Sequence, residues 1–437
     1  MTKPFAMATL VVGVLFAVVA CNKKNPNSPA RQPGTGAAAT ANSGQTTRAS
    51  TGVAVPATSA QTTHAGVDDA TAAKPGQAVN EPFDPNRKTS FWPPYPDNPR
   101  VQYLVSFNSS ADIQPQKGHS QTAIPGGIPE QDFSLALPYG LAMWKGRIYV
   151  ADMRVHGVMI FDLSKHQTLL LGRSEADQMA RPTDIAIADD GFKYVTDLDK
   201  KSIFVYDADD HFVTTFSPND LQPQTLAVYQ NLLFVCDKQK RRVVVMDRRD
   251  GKIVRNIGSE GIELGQFKIP LGIDVDSHGH IWVSDVGSCR VQGFDQDGKL
   301  LKSFGQPSDR AGGLPRPKMI AIDKMGEVFV VDAALQNVQV FDCEGKLLTY
   351  FGSAGTHPGN MNIPVGICVH EGDLDLFSQY IHPAFEAERL ILVSNQFGSA
   401  KIGVYALGHL KPGKTPADTR AASADVKTGT TDAPQGR

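Results

Sequence analysis

The sequence predicts an all-β fold: a six-bladed β-propeller of four-stranded antiparallel blades, the last of them closed by a strand from the N-terminal side. Three observations predict it. A proline-anchored unit recurs at Pro138, Pro182, Pro223, Pro270, Pro317 and Pro364, with spacings of 44, 41, 47, 47 and 47 residues. Each unit holds short runs of strand composition separated by turn signals such as Asp190-Gly191, Asp250-Gly251 and Asp297-Gly298. One further strand-like run, Arg100–Phe107 (RVQYLVSF), stands alone ahead of the repeats, and a lone strand can neither satisfy its backbone nor bury a face.

The elements follow in chain order. Residues 1–20 read as a signal peptide, with Lys3 ahead of an unbroken apolar run from Ala8 to Ala20 that is too short to span a bilayer comfortably. Val18-Val-Ala-Cys21 resembles the bacterial lipobox, which implies cleavage before Cys21 and lipid attachment there. Asn22 in the next position implies outer-membrane sorting under the enteric rule. Residues 21–90 are rich in Ala, Thr, Ser, Gly, Pro and Gln. They cannot bury enough surface to offset chain entropy, so they are expected to be a disordered tether with an r.m.s. span of about 40–45 Å. The propeller is expected over residues 91–410, with Trp92 and its prolines as a lead-in packed on its side, and a disordered tail over 411–437.

Within the repeats, Ile269-Pro-Leu-Gly-Ile-Asp-Val-Asp leads into Ile281-Trp-Val-Ser-Asp285, and Arg290-Val-Gln-Gly-Phe-Asp into Lys299-Leu-Leu-Lys-Ser-Phe-Gly305. An acidic or amide residue follows each proline, Asp152, Asp197, Asp237, Asp285, Asp332 and Asn395, at distances of 14, 15, 14, 15, 15 and 31. Four antiparallel strands per 40–50 residues make a propeller blade. The cadence resembles the NHL-repeat family over residues 137–408, most specifically at Gly258–Gly305, and with the WPP lead it is similar to bacterial NHL-repeat lipoproteins. The sixth unit supplies strands near Pro364–Val369, Leu390–Ser394 and Lys401–Ala406 and then ends. Arg100–Phe107 is expected to cross the sequence and serve as its missing fourth strand, removing an exposed edge.

Chemistry is sparser. The net charge of −2 offers no global basic field for nucleic acid, and the export signal argues against it too. Beyond Cys21 the cysteines are Cys236, Cys289, Cys343 and Cys368, with no CxxC; Cys236 and Cys368 sit in apolar runs and read as packed thiols. The blade Asp residues read as turn acceptors for backbone N–H groups. His278 and His280 form an H-x-H pair that could hold one edge of a metal site, but around Gly279 they read first as an exposed turn.

Some related propellers are enzymes with a metal in the central channel. The residues after the prolines here are Tyr139, Thr183, Gln224, Leu271, Lys318 and Val365, with no His, and no G-x-S-x-G motif occurs. No catalytic residue, metal ligand or cofactor is therefore assigned. The expected function is binding or scaffolding in the cell envelope by a monomeric propeller, for a protein or anionic polymer. The alternative is a lyase or hydrolase with a divalent channel metal.

Loops carry propeller function. The d–a and b–c loops share one face, with the connection Asn108–Leu137 expected to drape over the channel mouth. The same face carries Lys238, Lys240, Arg241 and Arg242, taken as partner-binding cations. The a–b and c–d loops share the other face, with an insertion at Glu371–Arg389 whose aromatics either pack on the channel mouth or meet a partner.

Overall fold

Runs such as Leu233-Phe-Val-Cys236 and Val243-Val-Val-Met246 are continuously apolar rather than alternating, as strands covered on both faces must be. The computed structural model describes residues 90–94, 97–113 and 133–415. The expected signal peptide, residues 21–89 of the expected tether, with Cys21, and residues 416–437 of the expected tail lie outside them. Six sheets form. Blade one is Pro138–Trp144, Arg147–Asp152, Gly157–Asp162 and Gln167–Leu171, and blade two is Pro182–Ile187, Lys193–Asp197, Ser202–Tyr206 and Phe212–Phe216. Blade three is Pro223–Tyr229, Leu232–Asp237, Arg242–Asp247 and Ile253–Ile257. Blade four is Pro270–Val275, Ile281–Asp285, Arg290–Phe294 and Leu300–Phe304, and blade five is Pro317–Ile322, Val328–Asp332, Asn337–Phe341 and Leu347–Phe351. In order these are strands a, b, c and d, and every strand a starts on its anchoring proline.

In blades one to five burial drops at the outermost strand. Strands b and c of blade three are almost wholly buried, whereas its strand d exposes Ile253 and Val254. The c–d turns repeat one device. In blade four the Asp295 carboxylate accepts from Asp297 and Lys299 amides at 3.0 and 2.8 Å, and Gly298 takes φ +87°, where a side chain would be strained.

Blade six is built from both ends of the propeller, as the lone strand required. Val101–Phe107 pairs antiparallel with strand c, Ile402–Leu410, in a register running from Val101 opposite Leu407 to Phe107 opposite Ile402. Strand b is Phe385–Asn395 and strand a Pro364–His370, and a two-residue strand, Phe91–Trp92, adds a fifth member outside Val101–Phe107. Trp92 lies against Phe351 and Tyr405 and over Gly359, where a Cβ would come within 2.5 Å of its ring. The lead-in is thus packed on the side of the propeller.

Two expectations need correction here. Strands b and c of blade six are longer than composition indicated, because Phe385, Glu386 and Ala387 find rungs opposite Leu410, His409 and Gly408. The insertion is consequently part strand, and a 3-10 helix, Leu374–Tyr380, fills half of the rest. Its aromatics do not sit on the channel mouth: Phe377, Tyr380 and Phe385 are buried in one cluster with Phe91, Leu104, Phe107 and residues of blade one. Gln102 clamps it, donating to the Tyr380 carbonyl at 2.9 Å and accepting from the His382 amide at 3.0 Å.

Candidate functional site

The six aligned blade residues are committed to the backbone. Asp152 accepts from Ala136 and Leu137 ahead of strand a, and from Arg154 and Val155 in the b–c turn, at 2.7–3.0 Å. Asp332 repeats this with Arg316, Ala334 and Leu335, at 2.8, 2.8 and 2.9 Å. All five aspartates are fully buried. Asp152, Asp197, Asp237 and Asp332 pin the entry to the blade against the b–c turn, where loop amides would otherwise lack partners, while Asp285 holds the entry amides of Lys268 and Ile269.

The channel holds a cavity of about 250 Å³ lined by strand a of all six blades, in the half nearer the a–b turns. The side chains around it are mainly aliphatic, with Asp184 and Asp274 as the carboxylates, and backbone supplies polar wall between them. Each is bound to the next blade: Asp184 accepts from the Leu226 amide at 3.0 Å, and Asp274 from the Ile322 amide at 2.8 Å. Gly140 makes room for Asp184, since a Cβ there would lie 2.1 Å from its Oδ1. Burial raises both acids to about 7, although Asp274 keeps some exposure to the channel. Hydroxyls extend the stitching, with Thr183 donating to the Gln224 carbonyl at 2.7 Å and Ser394 to the Tyr139 carbonyl at 2.5 Å. Cys236 and Cys368 are packed thiols, pushed by burial up to about 12.

A channel metal does not fit this lining. Both carboxylates already serve backbone amides, and among the described residues the one cluster of three potential ligand side chains lies elsewhere. That cluster is Asp276, His278 and His280, in the a–b turn of blade four. The H-x-H pair was legible in the sequence; the buried carboxylate beside it was not singled out.

On the d–a face the structure brings Lys238, Lys240, Arg241 and Arg242 together at the b–c turn of blade three. Lys240 pairs with Asp220 at 3.2 Å and Arg241 with Glu260. The Arg242 Nε lies 3.2 Å from the buried Asp237, so this residue belongs to the turn. No ion pair joins Lys238 to a described carboxylate. Lys318, half-buried after its proline, has its pKa lowered by burial and then by Arg316. The sequence reading passed over exposed apolar residues on the same face: Ile262 (66% exposed), Leu264 (65%), Ile269 (47%) and Phe397 (53%).

The connection into blade one departs from expectation in its described stems. Residues 114–132 lie outside the described chain. The stems pair with each other, Ser110 amide to Phe133 carbonyl and Leu135 amide to Asn108 carbonyl, each at 2.8 Å. The Ile113 carbonyl then meets His166, in the c–d turn of blade one, at 2.9 Å. Ile113 and Leu135 bury with Phe107 and Phe161, which draws the stems along the flank of the propeller rather than across the channel mouth.

Sequence comparison matches residues 112–313, through blade four, to the family described as SMP-30/Gluconolactonase/LRE-like region. Among solved structures, a streptogramin B lyase is 13% identical with a TM-score of 0.46, covering 71% of this chain and 98% of its own. A Bacteroides thetaiotaomicron protein of unknown function gives 14% and 0.48, covering 62% and 70%. A catalytically inactive virginiamycin B lyase from Staphylococcus aureus with quinupristin gives 14% and 0.43, covering 62% and 95%. The chain is a six-bladed propeller whose residues 112–313 are similar to the SMP-30/gluconolactonase/LRE-like region, a propeller family related to the NHL repeats it resembles.

Proposed function

We propose that this chain is a lipoprotein of the bacterial cell envelope, anchored through Cys21, whose propeller is a binding or scaffold module for an acidic protein or an anionic polymer. The observation that carries the reading is the d–a face. It sets exposed Ile262, Leu264, Ile269 and Phe397 in the same set of loops as Lys238, Lys240 and Arg241, with the Lys240 and Ile269 amides held by the buried Asp237 and Asp285. Large exposed apolar side chains beside cations are what an acidic, partly apolar partner recognises. The pairs with Asp220 and Glu260 are surface ion pairs, worth about 0–1 kcal/mol each, so a partner's acids can replace them.

The test is capture from envelope extracts with the full chain as bait. Lys238→Glu, Lys240→Glu and Arg241→Glu together, or Ile262→Ser with Leu264→Ser, should abolish capture that wild type loses only at high salt. Capture insensitive to both variants would overturn the assignment of this face. Cys21→Ala should move the chain out of the membrane fraction, and unchanged membrane retention would refute the anchor.

A second reading, a lyase or hydrolase, is favoured by the match of residues 112–313 to a gluconolactonase-like region and by the channel cavity. It ranks second because both channel carboxylates already serve backbone amides; against that lining it requires a stoichiometric divalent ion in the purified protein that is lost in Asp184→Asn or Asp274→Asn and kept when His278 and His280 are changed. Absence of such an ion removes it.

A further inference from the structure

The a–b turn of blade four is closed by Asp276 and Gly279. The Asp276 carboxylate accepts from the His278 and His280 amides, both at 2.9 Å, and Gly279, at φ +83°, donates to the Asp276 carbonyl at 2.9 Å. Blade five makes the same turn with Asp323 and Gly326, placing Met325 and Glu327 where blade four has His278 and His280. The turn therefore needs its aspartate and glycine and has no use for imidazole.

What the imidazoles do is set by the second oxygen of Asp276. It lies 2.9 Å from His280 Nδ1 and also accepts from the indole N–H of Trp282 at 3.3 Å. A carboxylate only accepts, so Nδ1 of His280 carries the proton and its Nε2 presents a lone pair. That is the arrangement by which an outer carboxylate fixes the tautomer and orientation of a metal-binding histidine. Asp276 is buried and held by four donors, so the orientation is set before any ligand arrives. His278 lies alongside, its ring 5.8 Å from that of His280 and within 18° of parallel. One ligand atom from each of the three residues falls within 4.8 Å of the others. Two nitrogens on one zinc ion stand about 3.3 Å apart, given bonds of about 2.0–2.1 Å, so with the rings centred 5.8 Å apart the pair closes when the exposed His278 side chain turns a nitrogen toward Nε2 of His280.

We infer that the turn binds one borderline divalent cation of the zinc, nickel or copper class through His278 and His280, with Asp276 as positioning residue and the remaining positions open to water or to a donor from a partner. Imidazole pairs favour these ions over magnesium or calcium. The site stands on the face opposite the proposed binding surface and does not depend on it.

The test titrates zinc chloride into the purified, metal-stripped full-length chain by calorimetry. The result expected is one equivalent bound in the micromolar range and absent from the His278→Ala, His280→Ala double variant, with each single change weakening binding at least tenfold. Asp276→Asn should weaken it by about 10–100-fold, as loss of an outer-shell partner does. His278→Ala touches an exposed side chain, so its unchanged melting temperature would show that lost binding is not lost folding. Zinc binding equal in wild type and double variant, or none saturable in wild type, overturns the site. Unweakened binding in Asp276→Asn with the histidines intact overturns the role given to Asp276.

Discussion

Replacing Asp332 by Ala removes the acceptor for three backbone amides, those of Arg316, Ala334 and Leu335, at a position with no solvent access. Hydrogen bonds to charged groups contribute roughly 1.5–3 kcal/mol each, but the three share one carboxylate whose own desolvation offsets part of the sum. A net loss of about 3–5 kcal/mol follows, the magnitude of breaking one buried charged partner away from its set. Unfolding entropy of about 2.1 cal/mol/K per residue over a domain of about 300 residues converts this to a drop of roughly 5–8 °C in Tm. Asp332→Asn keeps one acceptor oxygen for the turn but turns an NH2 toward the Arg316 amide, so it should fall between the two. Thermal melts followed by circular dichroism, with urea unfolding as a second measure, read the series. If Asp332→Ala melts within about 2 °C of wild type, the aspartates do not hold the blades as argued.

Three further outcomes are expected. Gln102→Ala removes the side-chain bonds to the Tyr380 carbonyl and from the His382 amide, costing about 2–4 kcal/mol, and should open residues 371–384 to limited proteolysis; wild-type protease resistance would count against the clamp. Asp184 titrates near 7 when folded, against the ordinary carboxylate range near 4 when unfolded, so the folded state holds the extra proton between those values. Its contribution is most favourable below about pH 4 and is lost as pH rises through 7, so Asp184→Asn should flatten the fall in Tm between pH 5 and 8, and an unchanged slope would refute it. Asn395→Asp places a carboxylate oxygen where Nδ2 now donates to the Ala400 carbonyl at 2.9 Å, and should lower Tm rather than raise it toward the pattern of the other blades.

The fold was legible because a propeller repeats its instructions. Proline opens strand a, aspartate closes strand b, and five copies of the aspartate make its structural role readable before any distance is known. The closing strand was legible for a related reason, since a blade with three strands and a strand with no blade complete one another. What sequence could not give was interaction between units. Asp184 and Asp274 occupy different positions in their repeats, two and four residues after the proline, so no periodicity flags that both hold an amide of the next blade. The basic run at Lys238–Arg242 was visible, but its neutralising partners Asp220 and Glu260 lie 20 and 19 residues from Lys240 and Arg241 in other loops. Ile262 and Leu264 looked like repeat residues because their exposure depends on a loop path that composition does not set.

Blade six gathers nearly every departure from the repeat, and closure gives one physical reason for all of them. In the other blades a short turn joins strand c to strand d, so pairing them costs little loop entropy. In blade six the two strands are separated by almost the whole propeller, and their pairing must be held by contacts rather than by connection. Phe91–Trp92 lengthens the sheet beyond the closing strand. Tyr405 on strand c, buried, gathers Trp92, Tyr103 and Phe351 around its ring and donates to the Gly359 carbonyl at 3.0 Å. The Arg100 Nε donates to the Gly408 carbonyl at 3.0 Å while the Gly408 amide returns a bond of 2.9 Å to the Arg100 carbonyl. The insertion places Tyr380 and His382 at the two ends of the Gln102 amide. Read alone, the insertion's aromatics could equally pack on the channel mouth or meet a partner, and the tryptophan-proline lead is expected to pack on the side of the propeller; both are parts of the closure. Outside the closure lie the d–a loop of Ile262 and Leu264 and the a–b turn of blade four, the two places proposed to meet a partner and a metal ion.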